Sequence, residues 1–166
     1  MKDRRNKTRS LVTLAVSVSV AMVLSFIESR IPAFVTIPGV KVGLANIAVI
    51  FTLYKLGAKE AVIVSLVRVL LVSILFGSTV SLAYSLAGAV LSLTVMLLLR
   101  RFAPLGEVGV SVAGGVCHNI GQIIAASFLL EINVLIYYLP ALILSGTVAG
   151  IAVGVASALL IKKIRI

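Results

Sequence analysis

Apolar residues in this chain come in long runs with few charges, not in the short periodic stripes by which a water-soluble helix or strand turns one face to a core. Six runs stand out: Leu11–Ile27, Val42–Leu56, Ala58–Phe76, Val80–Leu99, Val108–Leu130 and Val134–Ile161. About 20 apolar residues in helical form span the roughly 30 Å hydrocarbon core of a bilayer. The pattern predicts an all-α, polytopic membrane protein, with residues 1–166 forming a single bundle of six transmembrane helices. The second run is short and reaches only about 22 Å as a helix. It either crosses or turns back as a hairpin, and the charges decide between the two.

Cations cluster where the apolar runs end. With six crossings and a cytoplasmic N-terminus, the basic tail (residues 1–10), Lys55, Lys59, Arg100, Arg101, Lys162, Lys163 and Arg165 all lie inside. That is twelve cations inside against two outside, Arg30 and Lys41. If the second run does not cross, the later loops change sides and the balance becomes five against nine. The positive-inside rule selects six crossings, with both termini on the cytoplasmic side of the cell membrane. The basic start followed by an apolar run is similar to a secretory signal. However, the run ends in Glu28-Ser29-Arg30 with no small-x-small cleavage site, so a retained first helix is expected. The net charge of +10 would suit nucleic acid, but its placement assigns it to topology, and no nucleic-acid partner is expected.

The longest outward segment, residues 28–41, holds Pro32, Pro38 and Gly39, which oppose continuous helix. It also holds Ile31, Phe34, Val35 and Ile37, more apolar residues than a freely solvated loop carries. A lid over the bundle mouth and a loop lying in the interface both fit. Small residues recur at four-residue spacing, the pattern that lets membrane helices approach closely. They are Gly146, Gly150 and Gly154 in the last run, and Ala15 with Ser19 or Ser17 with Ala21 in the first. The fifth run carries the related row Gly114, Cys117, Gly121 and Ala125. Such rows serve packing within the chain or docking of another membrane subunit. Docking is best placed on the first helix, at Ala15 and Ser19.

Arg68 stands near the middle of the third run. A guanidinium at bilayer depth costs on the order of 2.5–3.5 kcal/mol on insertion scales, and it does not escape by losing its proton. The five acids, Asp3, Glu28, Glu60, Glu107 and Glu131, all lie at or beyond run ends. None is placed at mid-membrane; Glu28 or Glu131 can reach the non-cytoplasmic half, where Arg30 and Lys41 compete for them, which leaves surplus positive charge for an anionic ligand. The other reading braces Arg68 with carbonyls and water. The further polar candidates are Asn46, Tyr84, His118, Asn119 and Gln122, of which His118 and Gln122 share a helix face. Intramembrane polar groups mark binding sites or pathways, or they hydrogen-bond in packing. No metal site is expected from one His and one Cys without a nearby carboxylate. The chain has no phosphate-loop motif for ATP. Its single aspartate, Asp3, rules out aspartate-rich magnesium chemistry by this chain alone. An enzyme is not expected, nor is a cofactor.

The segments Ile37-Pro-Gly-Val-Lys-Val-Gly-Leu-Ala-Asn46, Leu66-Val-Arg-Val-Leu-Leu71 with Leu75-Phe-Gly77, Tyr84-Ser-Leu-Ala-Gly88 and Ala113-Gly-Gly-Val-Cys-His-Asn-Ile-Gly-Gln122 carry a resemblance. Together they resemble the Gx transporter family, labelled heptaprenyl diphosphate synthase component I. That family is grouped with the substrate-binding S components of energy-coupling factor (ECF) transporters. The resemblance implies a six-helix capture subunit for a small, vitamin-like or phosphate-bearing molecule. It also implies partners: a transmembrane coupling subunit and two ATPase subunits. It carries substrate binding onto Lys41, Asn46, Arg68, His118 and Asn119, with Tyr84 and Gln122 joining as polar neighbours. The alternative is a non-catalytic membrane accessory to polyprenyl diphosphate synthesis.

Overall fold

The computed structural model describes residues 2–30, 43–77, 79–103, 105–131 and 137–164. Among these, the chain folds into six α-helices: α1 (Lys2–Arg30), α2 (Asn46–Lys55), α3 (Ala58–Phe76), α4 (Thr79–Phe102), α5 (Glu107–Leu130) and α6 (Leu139–Lys163). Residues 31–42, which hold most of the expected lid-like segment and Lys41, lie outside the described residues. Four stretches are long and apolar enough to cross a membrane: Lys7–Glu28, Thr79–Phe102, Glu107–Leu130 and Leu139–Lys163. This is a membrane protein. α3 has 19 residues but carries Lys59, Glu60 and Arg68.

Two elements differ from the sequence expectation. The basic N-terminal tail is not separate from the first span, because α1 runs as one helix from Lys2. α2 is only 10 residues long, about 15 Å at the helical rise and half of a bilayer core. Its start is delayed by a turn at Gly43, Leu44 and Ala45, in which Asn46 N donates to the Gly43 carbonyl at 2.9 Å. Gly43 has φ +73°, a left-handed conformation that favours glycine.

α2 is held at both ends. Gly43 N donates to Glu28 Oε1 of α1 at 2.5 Å. At the other end, Arg100 of α4 donates through Nη1 to the Leu53 carbonyl, and its guanidinium lies 5.0 Å from the centre of the Tyr54 ring. The last carbonyls of a helix lack internal partners, so a cation there satisfies one of them and complements the helix dipole. Between these anchors Ala48, Val49, Ile50, Thr52 and Leu53 are buried. They pack with Ala21, Ala61, Val64, Met96 and Val110 into the core of the bundle.

The helices pack in the order α1–α3–α4–α5–α6, and α2 touches α1, α3, α5 and α6, closing the gap between the two ends of that series. α5 is clasped between α4 and α6 by glycine. A Cβ at Gly150 would lie 2.6 Å from Val112 Cα, and one at Gly154 would lie 2.7 Å from Val108 Cα. On the other side of α5, a Cβ at Gly121 would lie 2.9 Å from Gly88 Cα. The glycine repeat of α6 is therefore spent within the chain, as backbone-to-backbone packing against α5. On α1 the two small-residue faces separate: Ser17 and Ala21 are buried, while Ala15 and Ser19 are exposed.

This packing has a direct consequence. Gly150→Ala drives a methyl into the backbone of α5 and is expected to destabilise the bundle by about 1–3 kcal/mol. Gly109→Ala, whose Cβ meets only Leu105 side-chain atoms at 3.4 Å or more, is expected to be neutral or to stabilise the helix by up to about 1 kcal/mol. Denaturant titration in detergent of the two variants beside wild type checks both signs.

Candidate functional site

The short α2 fills the bundle interior at one end only. Above its N-terminus lies a partly open cavity of about 170 Å³. Asn46 and Arg68 stand the same number of residues to either side of Gly57, in the α2–α3 turn, so the two antiparallel helices bring them to one level. Both line the cavity. It runs from there towards the ends of α1 and α3, where Glu28, Phe76 and Gly77 contribute.

Arg68 is the central group. It is 9% exposed, and among the described residues its Nε has no hydrogen-bond partner. The expectation that no carboxylate is placed to meet it needs correction. Glu28 lines the same cavity, and its charge acts on the Arg68 guanidinium. Glu28 sits at the end of the first run in the sequence, but α1 brings it to the cavity mouth, and its bond to Gly43 N holds it there.

Hydroxyls make up much of the remaining polar lining. Ser25 comes from α1, Ser73 from α3, Ser81 and Ser85 from α4, and Ser111 from α5. Ser111 is 3% exposed, and among the described residues its Oγ has no hydrogen-bond partner. A buried polar atom left unpaired costs about 1–3 kcal/mol, so Ser111 and Arg68 are both groups that a polar ligand or water would satisfy. α6 contributes Gly146, Ala149, Gly150 and Val153, a wall of backbone and small side chains.

The expected site residues divide. Asn46, Arg68, His118 and Asn119 line the cavity together. Asn119 also has a structural task, since its Nδ2 donates to the Leu142 carbonyl of α6 at 2.8 Å. Tyr84 and Gln122 are not among the lining residues. Gln122 is buried against α4, where a Cβ at Gly88 would lie 2.7 Å from its Cγ. Neither its Oε1 nor its Nε2 has a hydrogen-bond partner. Lys41 lies outside the described residues.

Sequence reasoning missed the serines and set Glu28 aside as a partner of Arg30 and Lys41. The available signal was helical spacing: Ser25 with Glu28, Ser81 with Ser85, and Ser111 with Gly115 and His118 each follow three- or four-residue steps along one face. Among the described residues no three His, Cys, Asp or Glu side chains group as metal ligands would. The chemistry on offer is reversible binding. Among the described residues one cation, one anion, an imidazole, two amides and several hydroxyls surround a space of small-molecule size.

The sequence profile of the family described as heptaprenyl diphosphate synthase component I matches residues 17–160. No curated protein and no solved structure matches the chain.

Proposed function

The chain belongs to the heptaprenyl diphosphate synthase component I family, and we propose that it is the substrate-binding subunit of an ECF-type transporter. It captures a small molecule bearing an anionic group from the non-cytoplasmic side. A transmembrane coupling subunit and two ATPase subunits then drive its uptake. The chain itself binds and does not catalyse. The chain crosses the cell membrane six times, and both termini are cytoplasmic.

The observation that carries this reading is Arg68, buried at mid-helix with its Nε unpartnered and facing a serine-rich cavity. A buried intramembrane charge so placed marks a site by default, and a guanidinium matches carboxylate or phosphate. In the six-crossing topology the cavity lies at the end of the bundle away from Lys55, Lys59, Arg100, Arg101, Lys162 and Lys163, which is the outward end by the positive-inside rule.

The family's description favours a second reading, a membrane accessory to polyprenyl diphosphate synthesis. A diphosphate would suit Arg68 and the serines. Size argues for the first reading. The cavity of about 170 Å³ is close to the roughly 150 Å³ that accommodates one benzene, far less than a heptaprenyl chain occupies. The exposed Ala15–Ser19 face of α1 leaves a surface on which a coupling helix can approach closely.

Three tests follow. Native mass spectrometry of gently purified protein is expected to find a small retained molecule, and Arg68→Gln is expected to weaken its binding by about 10- to 100-fold while the bundle stays folded. Unchanged affinity with lowered stability would assign Arg68 to bracing. In a Cys117→Ala background, single cysteines at Thr79 and Glu131 should react with an impermeant thiol reagent on intact cells, and those at Ala103 and Lys163 only after lysis. Labelling of the second pair on intact cells would overturn the topology. Finally, Ala15→Trp is expected to abolish uptake and co-purification of the coupling subunit while ligand binding by the isolated protein persists. Uptake in liposomes by this chain alone, without ATP, would contradict the mechanism.

A further inference from the structure

The charge inventory of the cavity goes further than an anion site. Among the described residues that line this space, Arg68 and Glu28 are the charged ones, and their formal charges cancel. A ligand that is purely anionic satisfies the guanidinium but brings its charge towards a carboxylate as well. At short range in a poorly solvated cavity such like-charge juxtaposition is unfavourable. A ligand with separated charges satisfies both.

Other parts of the lining agree. Glu28 commits Oε1 to Gly43 N, and a carboxylate accepts at both oxygens, so Oε2 has capacity left for a donor. Glu28 stands at the mouth, at the end of α1, while Arg68 lies deeper, at mid-α3. The two charges therefore stand at different depths of the space, which the hydroxyls of Ser73, Ser85 and Ser111 also line. The cavity's size limits the enclosed body to about that of benzene.

We propose that the cavity selects a small dipolar molecule, one that places a carboxylate or phosphate at Arg68 and a protonated amine at Glu28. This rests on the capture reading above and names the chemical class of its substrate. Glu28 is then a specificity residue: it admits anions that carry an amine and disfavours those that do not.

The test uses the full chain in lipid nanodiscs and two size-matched probe pairs, phosphoethanolamine against ethyl phosphate and β-alanine against propionate. Isothermal titration gives the affinity of each. The amine-bearing member of at least one pair is expected to bind about tenfold more tightly than its partner, the scale of one charge-assisted hydrogen bond. Glu28→Gln keeps an oxygen to accept from Gly43 N while removing the charge, and it is expected to erase that difference. The wild-type ranking stands even if the variant fails to fold. If ethyl phosphate and propionate bind as tightly as their partners in wild type, this inference falls while capture by Arg68 stands. A preference that survives in folded Glu28→Gln also overturns it, because the amine then meets another group. Binding of none of the four probes to wild type would count against both this inference and the capture reading.

Discussion

The structure turns on the length of α2. Ten residues of helix cover about 15 Å, so among the described residues one half of the bundle interior is filled by the side chains of α2 and the other half is not. The filled half is the apolar core around Val49, Ile50 and Leu53. The open half is the cavity, with Asn46 at its base. A helix of full bilayer length in the same place would occupy the space that Arg68 faces. The anchors at the two ends of α2, Glu28 to Gly43 N and Arg100 to the Leu53 carbonyl, keep the helix from sliding into it.

Around this short helix the bundle has two kinds of wall. On one side α4, α5 and α6 are joined by glycine contacts so close that added methyl groups would strike backbone. That side has little freedom to rearrange, and it presents Ser85, Ser111, His118 and Asn119 to the cavity from a fixed frame. On the other side α1 packs against α3 and α2, with Ser17 and Ala21 buried. That side carries both formal charges of the site. A charged pair supplied by one wall and a hydroxyl-rich surface supplied by the other is a reasonable construction for binding a small polar solute within an apolar medium. The charges meet the ends of the solute, and the hydroxyls adapt their donor and acceptor roles to the rest.

Burial of Arg68 does not help the fold. Its desolvation is unfavourable, its Nε makes no hydrogen bond, and Glu28 offsets the charge only from the mouth of the same cavity. An apolar residue at this position would suit the bundle better. The same holds for the unpartnered Ser111 Oγ. Groups that cost stability where they stand, gathered on one cavity, are what a binding site requires and what a structural core avoids.

Much of this was legible along the chain. Run length and charge gave the helices, and α3 begins and ends at Ala58 and Phe76 as the pattern predicts, because Gly57 and Gly77 interrupt the run at both sides. Arg68 was evident as a single charge among apolar neighbours, and Asn46, His118 and Asn119 as polar residues in apolar runs. Glu28 was legible only as one of two acids able to reach the outer half, because a position at the end of a run says nothing about how far a helix leans over a neighbour's interior. The serines were not, because a hydroxyl is common on every face of a membrane helix. Gln122 shares its face with His118 by spacing, yet it meets α4 and lies outside the cavity lining, since one helix stripe is wide enough to serve a helix contact and a cavity at successive turns. What the sequence determined by itself was the solvent, the helices and the one charge that has to be answered, since these follow from local hydropathy and the cost of burying a guanidinium. Which groups answer that charge, and the cavity they surround, were decided only by the tertiary structure, since both depend on where a short α2 stops inside the bundle.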